Sequence, residues 1–190
     1  MKKGYVIIVS GPSGVGKGTL IKRVLAKMPN LFLAVSATTR QPREKEVEGV
    51  NYYFLSESEF NRNIEEDNFV EWCDVHQHKY GTLKEEVERY INNGKDVIVE
   101  IDIKGAKKVK SKMDRVISIF ITPARFEDLI ERLQSRNTEK KDVIARRLSI
   151  AGQELAEIGS YDYIVVNNEI DNAENDIINI IDGFRNQIII

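Results

Sequence analysis

Residues 10–19 read SGPSGVGKGT. Gly11, Gly16 and Lys17 have the G-x-x-x-x-G-K spacing of a loop that wraps phosphate oxygens. Gly11, Pro12, Ser13, Gly14, Val15 and Gly16 form a curl whose backbone N–H groups face an anion, because glycine permits dihedrals that a side chain resists. The helix opened by Lys17, Gly18 and Thr19 adds positive potential at its N-terminus, and Lys17 reaches the outer phosphates. The competing reading is an ordinary glycine turn between strand and helix. Gly18 stands where a serine or threonine hydroxyl commonly ligates magnesium. Magnesium keeps several waters and binds substrate phosphates, so it is expected to be held by the triphosphate itself, without a direct protein ligand. Thr19 is the nearest substitute, acting through water.

The glycine order G-x-x-G-x-G excludes the G-x-G-x-x-G of a dinucleotide loop. A GTP switch would need an N-K-x-D guanine clamp late in the chain, where only Asn167, Asn168, Glu169, Ile170 and Asp171 are found. The loop therefore points to a kinase acting on a small acceptor.

Further chemistry-bearing groups follow. Arg40 and Arg43, three positions apart, can converge on one phosphate with charge-assisted forks, and Tyr52 can donate its hydroxyl to the same group; the alternative is a solvated basic loop. Glu71 lies in FVEW, among apolar neighbours that would normally exclude a carboxylate, so it either has a buried partner or faces outward by strand alternation. Glu100 and Asp102 follow the apolar run 97–99, at a strand end of the kind that hosts ligands in open parallel sheets. Asp102 is able to orient a magnesium water shell or to cap the next helix, and Glu100 to contact an acceptor. Arginines gather again at Arg132, Arg136, Arg146 and Arg147. Cys73 reads as a half-buried strand residue. His76 and His78 read as exposed loop residues, not spaced for a metal cage with it.

The elements that must position these groups are legible in outline. The 190 residues suffice for one substantial core. Strand candidates at 5–9, 96–101, 116–121 and 163–166 alternate with helix-period segments, which implies a mostly parallel sheet covered on both faces. Residues 142–158 and the tail, through Ile177, Ile181, Phe184 and Ile188, read as amphipathic helices. Ser56 with Glu59, and Thr82 with Glu85, have capping-box spacing. Between 35 and 94 the pattern changes to short aromatic strands at 52–55 and 69–75, the signature of an inserted flap. A net charge of −2 disfavours nucleic acid as a partner. No stretch is long enough to cross a bilayer and the first apolar run is too short for a signal peptide, so a cytoplasmic location is expected, with no membrane partner. One cysteine excludes an internal disulfide. The oligomeric state is left open.

Taken in order, SGPSGVGKGT, VSATTRQPREKEVEGVNYYF, FVEW, HKYGT, IVEIDIKGA, ERLQSRNTE, RRL and IVVNN resemble guanylate kinase nearly from end to end. The resemblance implies an α/β fold of P-loop NTPase type: a three-layer core with a parallel sheet (residues 1–34, 96–134 and 159–190), an inserted GMP-binding flap (35–95) and a mobile lid (135–158). It implies transfer of the γ-phosphoryl of ATP to GMP and dGMP, with Mg2+ bound to ATP, in purine nucleotide metabolism. Lys17, Arg40, Arg132, Arg136 and Arg147 then serve catalysis, and Asn167 lies near the adenine. Ser36, Arg40, Arg43, Tyr52, Glu71, Tyr80, Thr82, Glu100 and Asp102 hold GMP. In this reading Glu71 accepts from guanine N1–H and the N2 amino group, a pairing adenine cannot make, while Ser36 and Thr82 address the remaining base edge. Asn137 departs from the family's Arg-Gly, but asparagine tolerates left-handed backbone, so the lid turn is expected to survive. Two other readings are a noncatalytic guanylate-kinase-like interaction module and a kinase for a different nucleoside monophosphate.

Overall fold

The computed structural model describes residues 3–75, 77–134 and 141–186, without the side chains of 132–134 and 141–147. In chain order the elements are β1 (Val6–Ser10), α1 (Lys17–Lys27), β2 (Leu31–Leu33), β3 (Ala37–Thr38), β4 (Tyr53–Phe54), α2 (Glu57–Glu65), β5 (Phe69–Val75), β6 (His78–Leu83), α3 (Lys84–Ile91), β7 (Asp96–Glu100), α4 (Ile103–Lys112), β8 (Val116–Thr122), α5 (Phe126–Gln134), α6 (Lys141–Ala156), β9 (Tyr163–Val166) and α7 (Ile170–Arg185). The strands expected from the sequence and the helix expected at 142–158 are present within a residue or two at their ends; α7 is the tail helix, and Ile188 lies outside the described residues. No described helix is long and apolar enough to cross a membrane.

The chain forms two compact units, with β1 passing from one to the other after Ile8. The first comprises the residues up to Ile8 and Asn30–Ile117. Here β2, β7 and β1 lie in that order, and β2 pairs β7 in parallel with Leu31 opposite Asp96. Val97, Ile98 and Val99 are fully or almost fully buried, which explains their β-branched run. The stretch between 35 and 94, where the sequence pattern changes, holds a second sheet of order β4-β3-β6-β5, parallel between β3 and β4 and antiparallel elsewhere. One of its faces packs on α2 around Ala37, Phe60 and Phe69, with Tyr53, Leu55, Ile64, Trp72 and Leu83 against them. The Phe60 and Phe69 rings stack at 4.4 Å.

The Ser56–Glu59 capping box forms as the sequence predicts. The Thr82–Glu85 box does not: Thr82 lies inside β6, α3 starts one residue later from Leu83, and no side chain caps it. The Thr82 hydroxyl is engaged elsewhere, as described below.

The second unit holds Val9–Pro29 and the described residues from Ser118 onward. β8 and β9 run parallel, Ile119 opposite Tyr163 and Thr122 opposite Val166. Asp162 secures the start of β9 by accepting from the Ser118 N–H (2.8 Å) and hydroxyl (2.7 Å). α7 buries Ile177 and Ile181 as its periodicity predicts. It packs against α1, where Glu174 accepts from Arg23 Nε at 2.6 Å and pairs with Lys27 Nζ at 2.7 Å, and Asp171 bonds Arg23 as well.

Candidate functional site

The phosphate loop lies in the second unit, between the end of β1 and α1. Gly11, Gly14 and Gly16 have φ of 144°, 89° and 100°, the left-handed conformations that the motif demands. Gly11 is needed for space as well, since a Cβ there would stand 2.2 Å from the Ile121 carbonyl oxygen. Lys17 Nζ donates to the carbonyls of Gly11 (2.6 Å) and Pro12 (3.1 Å), so the ammonium lies over the loop mouth. Ser13 and Thr19 are exposed. A Cβ on Gly18 would meet nothing within 4 Å. Asn167 is buried and donates its side-chain amide to the Val15 carbonyl at 2.7 Å. Among the described residues, no three His, Cys, Asp or Glu side chains gather to hold a metal. An ion that arrives with its own phosphate ligands and waters needs no such cluster.

The second candidate site belongs to the first unit, and strand alternation explains how it is assembled. Cross-strand neighbours share a face, and that face repeats every second residue. Glu71 stands opposite Thr82, Cys73 opposite Tyr80, Tyr80 opposite Thr38, and Thr38 opposite Phe54. One face of the sheet therefore carries Glu71, Tyr80 and Thr82, and the alternation extends it to Ser36, Arg40 and Tyr52. The other face carries the apolar cluster. A register shift between Phe69 and Glu71 makes this division possible. In a regular strand these two residues would share a side; the bulge lets Phe69 join Leu83 in the core while Glu71 turns to Thr82.

Glu71 is only 4% exposed and accepts a hydrogen bond from Thr82 Oγ1 at 3.0 Å. It has the buried partner, not the outward orientation. Burial pushes its carboxyl up to about 7, with the Asp102 charge adding to the rise and the Thr82 hydrogen bond opposing it. Its Oε2 would lie 3.0 Å from a Cβ on Gly105, so only glycine leaves that oxygen open. Asp102 caps α4, accepting from the Gly105 N–H at 2.8 Å. Glu100 is exposed at the end of β7.

Arg40 lies 5.4 Å from the Tyr52 ring centre, and the Tyr52 and Tyr80 rings meet edge to face at 5.9 Å. Arg43 is exposed on the same turn. Sequence reasoning missed Glu46, which binds Arg40 through both oxygens (2.8 and 2.9 Å) and accepts from the Arg43 N–H at 2.9 Å. That N–H, followed by the Arg40 guanidinium, holds the Glu46 carboxyl below the usual range. The only signal was its spacing, three and six residues beyond the two arginines. Glu86 was missed too: it is buried and accepts from the Val35 N–H and the Tyr53 hydroxyl, joining α3 to the start of the flap. Burial raises the Cys73 thiol to about 11, which leaves it a poor nucleophile at neutral pH.

Arg132 falls in α5 and Arg147 in α6, but their side chains lie outside the described residues, as do Arg136, Asn137 and His76 altogether. His78 is in β6, not in a loop.

Comparison with known proteins adds four findings. The sequence model of the family described as guanylate kinase matches residues 3–183. Guanylate kinase of Caldanaerobacter subterraneus is 49% identical over 90% of this chain and 84% of its own. That of Carboxydothermus hydrogenoformans is 44% identical over 93% and 87%. A solved guanylate kinase from Anaplasma phagocytophilum superposes with a TM-score of 0.77 at 30% identity, covering 96% of this chain and 87% of that one.

Proposed function

The chain belongs to the guanylate kinase family, and we propose from this membership and the two sites that it transfers the γ-phosphoryl group of ATP to GMP, giving ADP and GDP, and accepts dGMP as well. The observation that carries the base assignment is the buried Glu71–Thr82 pair on the same sheet face as Arg40, Tyr52 and Tyr80. A buried carboxylate with one open oxygen accepts from the N1–H and N2 amino group of guanine, and Ser36 and Thr82 address the rest of the base edge. Adenine presents a lone pair at N1 and leaves those acceptors unpaired, which costs a hydrogen-bonding site about 10⁴-fold in discrimination.

Arg40, Arg43, Tyr52 and Tyr80 bind the GMP phosphate, with Glu46 orienting the Arg40 fork. The glycine loop and Lys17 hold the ATP phosphates. When bound, Mg2+ supplies neutralisation of the charge on the phosphate oxygens, and Thr19 would meet its water shell. The acceptor phosphate is already ionised near neutral pH, so the protein needs no base; positioning and charge neutralisation perform the reaction. Arg132, near the end of α5, and Arg136 and Arg147, delivered by a lid over residues 135–158 that excludes water, are the donors assigned to the moving phosphoryl oxygens.

A coupled assay with ATP and Mg2+ across GMP, dGMP, AMP, UMP and CMP tests this. We expect GMP and dGMP to be used and kcat/KM for AMP to be lower by about 10³ or more. Comparable rates with AMP would remove the base assignment. GMP binding without Mg2+-dependent transfer would replace the enzyme by an interaction module.

A further inference from the structure

We propose that Asn167 is a positioning residue for the phosphate loop, fixing the direction of the Gly16 N–H by holding the Val15 carbonyl. The carbonyl of Val15 and the N–H of Gly16 belong to one planar peptide unit and point in opposite directions. A loop that aims N–H groups at an anion must turn the matching carbonyls away from it. The Val15 carbonyl, turned away, receives the Asn167 side-chain amide at 2.7 Å, while the Val15 N–H reaches back to the Pro12 carbonyl at 3.2 Å. Gly16 has φ of 100° and no side chain, so nothing in its own covalent structure prevents this peptide from flipping. Asn167 is itself anchored: it is 5% exposed, and its backbone N–H donates to the Thr122 carbonyl at 2.8 Å. It also packs tightly on the loop, since a Cβ on Gly16 would stand 2.7 Å from its Nδ2. This role differs from the adenine contact that the resemblance implies for Asn167, because it acts on the phosphates whatever base they carry.

The inference rests on the phosphate-loop reading given under the proposed function, and the test separates the two. Inorganic tripolyphosphate, which has neither base nor acceptor, is titrated calorimetrically into the wild type, Asn167→Ala and Asn167→Asp. Affinity is expected to fall about tenfold or more in both variants. In the coupled assay kcat/KM is expected to fall by the same factor with ATP and with inosine triphosphate, which lacks the adenine amino group. Unchanged tripolyphosphate affinity in folded variants, or a loss confined to ATP, would overturn the inference. A wild type that does not bind tripolyphosphate would instead defeat the loop reading itself. Without any variant, the side-chain amide protons of Asn167 in the 15N-labelled wild type are expected to exchange slowly with solvent; fast exchange would also overturn the inference.

Discussion

Glu71 illustrates how one residue joins stability to the base recognition proposed for it. Its carboxyl is buried beside Thr82 and titrates at about 7 rather than in the ordinary range. The raised value makes the ionised form a burden on the free protein: the penalty is absent below about 4.5, grows as pH rises, and is complete above about 7. Glu71→Gln is therefore expected to stabilise the ligand-free chain by roughly 1–3 kcal/mol at about pH 8 and hardly at all near pH 4.5, read as melting temperatures at the two pH values. The same variant should lose about 10²- to 10⁴-fold in kcat/KM for GMP while its KM for ATP changes little. Equal damage to both nucleotides would contradict the assignment. A carboxylate between Val70 and Trp72 was conspicuous in the sequence, but its direction was not, because alternation alone predicts the same side for Phe69 and Glu71. The bulge that decides the matter has no signature in a single sequence.

At the level of elements, turn and cap chemistry was legible where it is local and failed where tertiary contacts compete. Ser56 and Glu59 meet through local contacts that only the neighbouring Ser58 hydroxyl shares, and they form their box; Ser56→Ala should cost about 1 kcal/mol, visible as a lower melting temperature with unchanged transfer activity. Thr82 has the same spacing to Glu85, yet its hydroxyl goes to Glu71, and α3 begins without it. Gly105 was read only as part of a matching stretch, although α4 brings it against the Glu71 carboxylate. Gly105→Ala places a methyl 3.0 Å from Oε2, so GMP affinity should fall about tenfold while α4 keeps its Asp102 cap. Titration calorimetry with GMP, set beside a melting curve, distinguishes this from simple unfolding.

At the scale of the whole chain, the strand–helix alternation and the glycine loop were readable, since each depends on periodicity or on glycine at fixed offsets, whereas of the second sheet the sequence offered only the strands at 52–55 and 69–75, not β3 and β6. The partners of the bridging acids were not readable: Glu174 meets Arg23 and Lys27 across about 150 residues of sequence, Glu86 showed no motif, and half-buried Glu46 offered only its spacing from Arg40 and Arg43. The loop's one departure from pattern is sterically open. Gly18→Ser should leave the melting temperature within about 1–2 °C of wild type, because nothing lies within 4 Å of the added carbon. It should also lower the Mg2+ concentration needed for half-maximal transfer; an unchanged requirement would show that the ion never approaches this position. The extra residue in β5 has a consequence of another kind. By uncoupling what the sheet packs from what it displays, it makes the displayed side an independently variable surface. Under the proposed base assignment, positions 71 and 82 can be recombined as a small alphabet for reading different bases, by selection or in the laboratory, while the aromatic stack of Phe60 and Phe69 stays intact beneath them.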